Sequence, residues 1–471
     1  MKLKLIVLLL MGIISSNKIE AQKIDSTLYT ALSEVYSLMQ VKADKSDSLF
    51  VNTVSKFIQQ IELTSPTQPI IKTDSLNNSK PKVDNENKQV DSLKNVAFQF
   101  SFVPPVSSNG MDNSKCRNQF SVNMLAGYAG AVNGLEIAGF ANVLRKEMHG
   151  LQLAGFANIT AGETEGIQLA GFCNVNQKKV DGIQVSGFSN VVSDSVQGVQ
   201  IGGFCNVNSG SVSGFQQAGF ANINGGKTDG FQCAGFVNSV SDSTTGFQIA
   251  GFVNQSSQKM DGVQLAGFMN VAQQELAGVQ VSGFINTCRR LKGTQIGFIN
   301  YADTLESGTP FGFLSVIRKG GFQALEVGAS ETFPATFQWK TGSDVFYNIF
   351  NIGAMPGNNF YWGYGYGFGS NLKKTGKFRI NLDLLAMHVN NGEIWTDHVN
   401  LLNKAHLGFT WQAAKHFAIS GGPTFNVLVV NNPDSELTVQ QPTVAPWTVS
   451  DKMYNNTRVQ MWPGAQLMIR F

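Results

Sequence analysis

The chain has 471 residues, a formal net charge of +3, 49 glycines and only 14% charged side chains. Near-neutral charge gives no support for a nucleic-acid-binding surface, and so few charges beside 42% hydrophobic residues exclude a chain that is disordered throughout. The pattern is what a membrane β-barrel or a tightly stacked β-solenoid needs, since about 25% charge is usual for a soluble domain.

Lys2 and Lys4 precede an apolar run over residues 5–14, and Ala21 before Gln22 supplies a cleavage point, so residues 1–21 read as a secretory signal peptide. The run is too short to cross a bilayer, which takes about 20 residues. No cysteine stands near the cleavage point to carry a lipid anchor. Residues 22–62 carry a helical pattern: Leu28, Leu32, Val35, Tyr36 and Met39 recur at three- and four-residue steps, as do Phe50, Val54, Phe57, Ile58 and Ile61. The expected product is a small helical hairpin packed on itself. Residues 63–95, rich in Ser, Asn, Lys, Asp and Pro, read as a disordered linker.

Two leading strands are expected in 96–133. Phe98, Phe100 and Phe102 alternate with Gln99 and Ser101 before Pro104-Pro105, and 120–131 is a second extended segment. From Gly134 to Gly320 a repeat dominates, in units such as GLEIAGFAN at Gly134, GIQLAGFCN at Gly166 and GVQVSGFIN at Gly278. Ten units keep a spacing of 16 residues, and a shortened GTQIGFIN follows at Gly293. Within a unit the period is two: Ile167 and Leu169 share one face, Gln168 and Ala170 the other. Comparison with the shortened unit reads Ala170 as a β-bulge that returns Phe172 to the Ile167 face, so each unit is one strand of ten or more residues plus a turn. Residues 321–471 continue with eight aromatic-rich strands, at 322–329, 336–340, 346–354, 360–371, 378–389, 401–412, 417–430 and 458–471.

The GxQxxGFxN repeat, with FSFVPPVSSNG before it and YADTLESGTPFGFLSVIRKGG after it, resembles the surface-repeat-containing proteins of Gram-negative-type bacteria. The likeness runs over about residues 96–471. It implies a location at the outer membrane or cell surface, and brings no catalytic residue or ligand with it.

Two architectures fit. The favoured one is an all-β, antiparallel outer-membrane barrel of about 22 strands with a short N-terminal helical segment, its Ile, Leu and Phe facing lipid and its Gln and Asn lining the interior. The alternative is a parallel β-solenoid of 16-residue coils, with Gln168, Gln184 and Gln200 stacked as one ladder and Asn174, Asn190 and Asn206 as another, followed by a C-terminal eight-stranded barrel.

Nothing in the chain specifies a reaction. His149, His388, His398, His406 and His416 form no HExxH, no Ser stands in a GxSxG elbow, and Gly363, Gly365 and Gly367 alternate with Tyr along a strand instead of opening a helix. His388 and Asp383 could share an interior, but scattered polar strand residues are the expected reading. Cys173 and Cys205 recur two repeats apart, roughly 9.5 Å if stacked, too far for a disulfide and better read as small apolar fillers. The sequence thus proposes no catalytic, cofactor-binding or metal site, no cofactor, and no enzyme. It proposes a structural, interaction or passive-pore role in the envelope, or alternatively a secreted or surface solenoid adhesin. The expected partners are outer-membrane lipid, the assembly machinery that would read a terminal Phe471, and a surface or periplasmic protein.

Overall fold

A computed structural model describes residues 93–104, 106–357, 360–392, 399–414, 416–431 and 444–471. The signal peptide, the helical segment and the linker up to residue 92 lie outside the described residues. Lys94 and Asn95, read as linker, instead pair with Cys116 and Arg117 and so belong to the first strand, Lys94–Val103.

The repeat region is a parallel β-solenoid of about 13 coils, and the 22-stranded barrel is not formed. Each coil makes two strands, not one. In the unit at Gly166 a long strand, Thr164–Ala170, turns at Gly171-Phe172 into a short strand, Cys173–Asn176. Residues then pair with their equivalents 16 positions on: Gln168 with Gln184 and Gln184 with Gln200, Asn174 with Asn190 and Asn190 with Asn206, all in parallel register. What resembled a bulge at Ala170 is a corner. Both devices throw one residue out of phase, but only a corner lets sixteen residues return to their starting height.

Two glycine columns make the coil possible. Gly166 has φ +129° and Gly182 φ +144°, a region only glycine enters without strain, and a Cβ on Gly182 would overlap the carbonyl oxygen of Gly166. At the corner, a Cβ on Gly171 would overlap the carbonyl of Gly155 in the same way. The repeat's G-x-x-x-x-G spacing therefore marks a positive-φ position in the long strand and the corner after it, at each of which a side chain would strike the coil before.

The stack is closed at both ends, as exposed strand edges require. At the start, Val106–Ser107 folds back antiparallel on Lys94–Val103, and Asn109 Nδ2 donates to Gln99 Oε1 (2.9 Å) and Asn118 Oδ1 (3.1 Å). The two leading strands expected in 96–133 are thus the first, irregular coils. At the other end Leu314–Lys319 meets the C-terminal module.

That module is a closed antiparallel barrel of eight strands: Phe322–Ser330, Ala335–Gly342, Tyr347–Met355, Tyr361–Thr375, Phe378–Asn391, Val399–Ala414, Phe417–Asn431 and Thr457–Arg470. Closure is made by residues 326–330 pairing with 466–470. The extra short strand Ser450–Tyr454 lies against Thr457–Arg470. The turns over 343–346 and 376–377 and the strand ends Ala414 and Phe417 lie at one rim, where the solenoid also enters, and the turn over 331–334 with the strand ends Met355, Tyr361, Asn391, Val399 and Asn431 at the other.

Because each unit is a whole coil, removing one leaves every later contact in register. Deleting residues 198–213 should leave a protease-resistant fold no less intact than deleting 198–229. Limited proteolysis of both variants checks this, and collapse of the first alone would contradict the coil topology.

Candidate functional site

The middle of the solenoid is polar. Gln152 Nε2 donates to Glu136 Oε2, and from there each glutamine donates to the one before it, up to Gln295, at 2.7–2.9 Å. A second column runs the other way: from Asn123 to Asn300 each asparagine donates to the next, at 2.8–3.0 Å. The second N–H of most of these asparagines reaches a backbone carbonyl of the following coil, as Asn158 does to Leu169 at 2.9 Å. The long and short strands are tied by Gln184 Nε2 to Asn176 Oδ1 (2.7 Å). These amides are fully buried, and such burial is tolerated only with this degree of pairing.

Glu136 stands where every later unit up to the one at Gly293 carries Gln. The glutamine column donates toward its N-terminal end, so that end needs an acceptor, and a carboxylate offers only acceptors. Asn123 Nδ2 also donates to it at 3.2 Å. Burial nonetheless dominates and pushes the Glu136 carboxyl up to about 7.

Outside the amide columns the polarity inverts. Ile167 and Leu169 point outward and are each 37% exposed, while Gln168 between them is fully buried. Val175 and its equivalents occupy the outer side of the short strand, with Ile223 exposed. At the corner, Phe140 to Phe313 form an unbroken column of rings with centroids 4.8–5.9 Å apart. A shallow apolar groove lined by Leu153, Leu169, Val185, Gly155 and Gly171 runs beside it.

The opposite edge is built differently. Apart from Glu136, every charged residue from Gly134 to Gly320 falls at this edge, in the turn between coils or in the strand ends beside it: Lys178 and Lys179 stand in a turn, Glu165 and Asp181 at the start of a long strand, and Arg318 and Lys319 at the end of the last short strand. These charges comprise eleven Lys or Arg and eleven Asp or Glu, so the edge is mixed in sign and not a single-sign field. Directly beneath these turns the interior becomes apolar in clusters: Leu144 with Met148, Val180 with Val192 and Val196, Met260 with Leu276 and Leu291. Between them sit polar pairs such as Asn176 with Thr164 at 2.6 Å. Across its width, a coil such as the one holding Val180 and Val192 changes from charged outside and apolar inside to apolar outside and amide inside.

The barrel repeats the second arrangement. Leu325, Phe337, Ile352, Leu384 and Phe409 point outward, while Lys340, Glu326 and Asp383 are buried within. Lys340 Nζ lies 2.7 Å from Asp383 and 2.9 Å from Glu326, and Arg470 Nε donates to Glu326 at 2.6 Å. Asp383 further accepts from Asn381 at 3.0 Å and faces His406 Nδ1 at 3.4 Å. Gly369 leaves the room that Asp383 and Tyr347 fill. Nearer the rim of longer connections, Phe333, Trp462, Met387, Leu402, Leu428 and Val444 pack as an apolar plug. Buried side chains from several strands meet inside this barrel, as eight strands allow.

The sequence pairing of His388 with Asp383 is not made. Five residues apart on one strand, they face opposite sides: Asp383 inward, His388 outward with Tyr364 at a ring separation of 5.9 Å. The partner is His406, on the next strand. The five cysteines are free, and burial pushes Cys173 and Cys205 up to about 11 and Cys288 to about 12, which keeps these thiols protonated and inert.

The fold and its surface define a β-solenoid with an amide core and an apolar skin, joined to an eight-stranded barrel. No protein-family model, curated protein or solved structure matches the chain.

Two substitutions test the interior. Asn206→Leu strands the Asn190 donor, the Asn222 acceptor and the Gln217 carbonyl, and should destabilise the solenoid by about 3 kcal/mol or more, read as a lowered denaturant midpoint. Glu136 has a folded-state pKa raised from 4.5 to about 7, so its stability is full below the lower value and lost as pH rises through the upper. Glu136→Gln should therefore be the more stable protein at pH 8, by up to about 3 kcal/mol, and converge on wild type near pH 4. A difference that does not vary with pH would refute this account of the column's end.

Proposed function

We propose that the protein is a structural and interaction component of the bacterial outer envelope, in which the barrel is a membrane anchor and the solenoid an extended contact surface. One observation carries the reading. The barrel turns Leu, Ile and Phe outward and seals Lys340, Asp383, Glu326 and Arg470 inside, the opposite of a water-soluble barrel. The strands are joined by two to four residues at one rim and by four to eighteen at the other, which fits the usual asymmetry of outer-membrane barrels. The apolar run at 5–14 supports export, and the resemblance of the repeat to surface-repeat-containing proteins supports the same address. A second reading, a surface adhesin, is favoured by the regular array of exposed Phe side chains, which would then meet another protein.

The anchor is tested on the barrel's outer wall. Leu384 is 40% exposed in the middle of its strand. In water, Leu384→Arg should change stability by no more than about 0.5 kcal/mol. Facing lipid near the midplane it costs about 2–4 kcal/mol. The expected outcome is a marked loss of folded barrel from the outer-membrane fraction for Leu384→Arg, with little loss for Phe378→Arg at the strand end. Equal recovery of both variants would remove the membrane reading.

A further inference from the structure

We infer that the solenoid lies edge-on in a single leaflet of the bilayer, its phenylalanine edge buried among acyl chains and its charged turns at the headgroups. This rests on the membrane reading of the barrel and names the partner of the solenoid's apolar surface: lipid hydrocarbon, on the side of the barrel's short turns.

Three observations place it there. The first is the change of polarity across the coils that carry apolar clusters beneath their turns. Beneath the charged turns the packing is that of a protein in water, with Val180, Val192 and Val196 inside. Toward the corner it is that of a protein in lipid, with Gln168 and Asn174 inside and Ile167, Leu169 and Phe172 outside. A slab wholly in water or wholly in hydrocarbon needs only one of these arrangements.

The second is depth. From Ile167 to the corner at Gly171 the outward apolar band covers four residue steps, roughly 13 Å of chain. Half of the about 30 Å hydrocarbon core is roughly 15 Å. The charges begin just beyond that band, at Glu165 in this coil. With both signs balanced along the edge, apolar burial and not electrostatic attraction holds the slab.

The third is continuity with the barrel wall, which fixes the height and direction of the edge. Phe311, on the long strand of the last coil, meets Phe346 in a short turn at the rim (5.1 Å). Phe313, two residues closer to the corner, meets Tyr366 (4.7 Å) and Phe350 (5.6 Å) farther up the outward wall. The path from turn to corner therefore runs from the barrel's rim toward its middle. On the rim side, Gln323 Nε2 donates to the Ile317 carbonyl at 2.8 Å. Polar bonds lock the joint: Asn348 accepts from the Ser315 amide (3.0 Å) and donates to the Gly312 carbonyl (2.6 Å). The phenylalanine column is thus an extension of the barrel's own aromatic wall, and lipid that wets one wets the other.

The chain supplies its own internal control. Its six tryptophans are Trp339, Trp362, Trp395, Trp411, Trp447 and Trp462, all after the solenoid, so native fluorescence reports on the C-terminal module alone. The full chain, with Phe204→Trp or Phe252→Trp at the corner or Lys227→Trp in a turn, is reconstituted in phosphatidylcholine vesicles brominated midway along the acyl chain. Retained cold-to-hot gel mobility shift confirms folding of each variant, and two corner positions guard against one that fails. Quenching of the native signal with additional quenching of the corner tryptophans, and much less at Lys227→Trp, is the expected result. Native quenching with unquenched corner tryptophans would place the solenoid outside the bilayer while leaving the barrel in it. In that case a blue-shifted corner emission would identify a second protein surface as its cover. Absence of quenching everywhere would overturn the barrel reading as well.

Discussion

Hydrogen bonding between identical amides one coil apart is the constraint on which the rest of the solenoid depends. A buried primary amide has two donors and two acceptor sites, and the only group that meets it in register at every level is its own copy about 4.8 Å away. This requirement dictates a repeat of constant length, glycines wherever backbones must approach within that spacing, and a parallel stack. It also removes the usual source of stability. Gln and Asn pairs exchange water for one another with little net gain per bond, about 1 kcal/mol, while the Ile, Leu and Phe side chains that could drive folding lie on the outside. A monomer in water rarely leaves a contiguous apolar face of more than a few hundred Å² uncovered. The polar core and the apolar skin are therefore one feature, and each demands the other.

The sidedness of the chain was legible from alternation alone. Ile167 and Leu169 against Gln168 read the same way whether the unit is a barrel strand or a solenoid coil, because both put amides in and hydrocarbon out. For that reason the alternation could not separate the two architectures. The separating information lay in the glycines and in the unvarying sixteen residues. A barrel needs turns suited to two different rims, whereas the repeat has one kind of turn and one kind of corner. All eight C-terminal strands were readable to within a few residues, since each carries aromatic residues and alternates over most of its length. Ser450–Tyr454 was missed; it carries four exposed residues and no apolar face toward the core. The inward pairing of Asp383 needed a neighbour from another strand, which no spacing along the chain reports, although the mismatch with His388 was visible in the odd separation of the two.

The direction of the hydrogen bonds gives the stack a chemical beginning and end. Glutamines donate toward the N-terminus and asparagines toward the C-terminus, so the two columns of amide dipoles oppose one another and no large net dipole builds up along the coils. Each column still needs a terminator of the right sense. Glu136 supplies acceptors where the glutamine column begins, and Ser315 closes the asparagine column, its Oγ 3.5 Å from Asn300, while its backbone amide is held by Asn348 of the barrel. The glutamine column stops less completely: Pro310 stands in register after Gln295 and has no amide to give, and Gln295 Oε1 is left without a donor. The one degenerate rung thus falls in the coil next to the barrel, where the stack need not be extended further. Units could be gained or lost in the middle of such an array without altering either terminator or the docking surface. The length of the solenoid is then free to vary, while its two ends, and the height at which its phenylalanine edge meets the barrel wall, are fixed by Glu136, Ser315, Phe313 and Asn348.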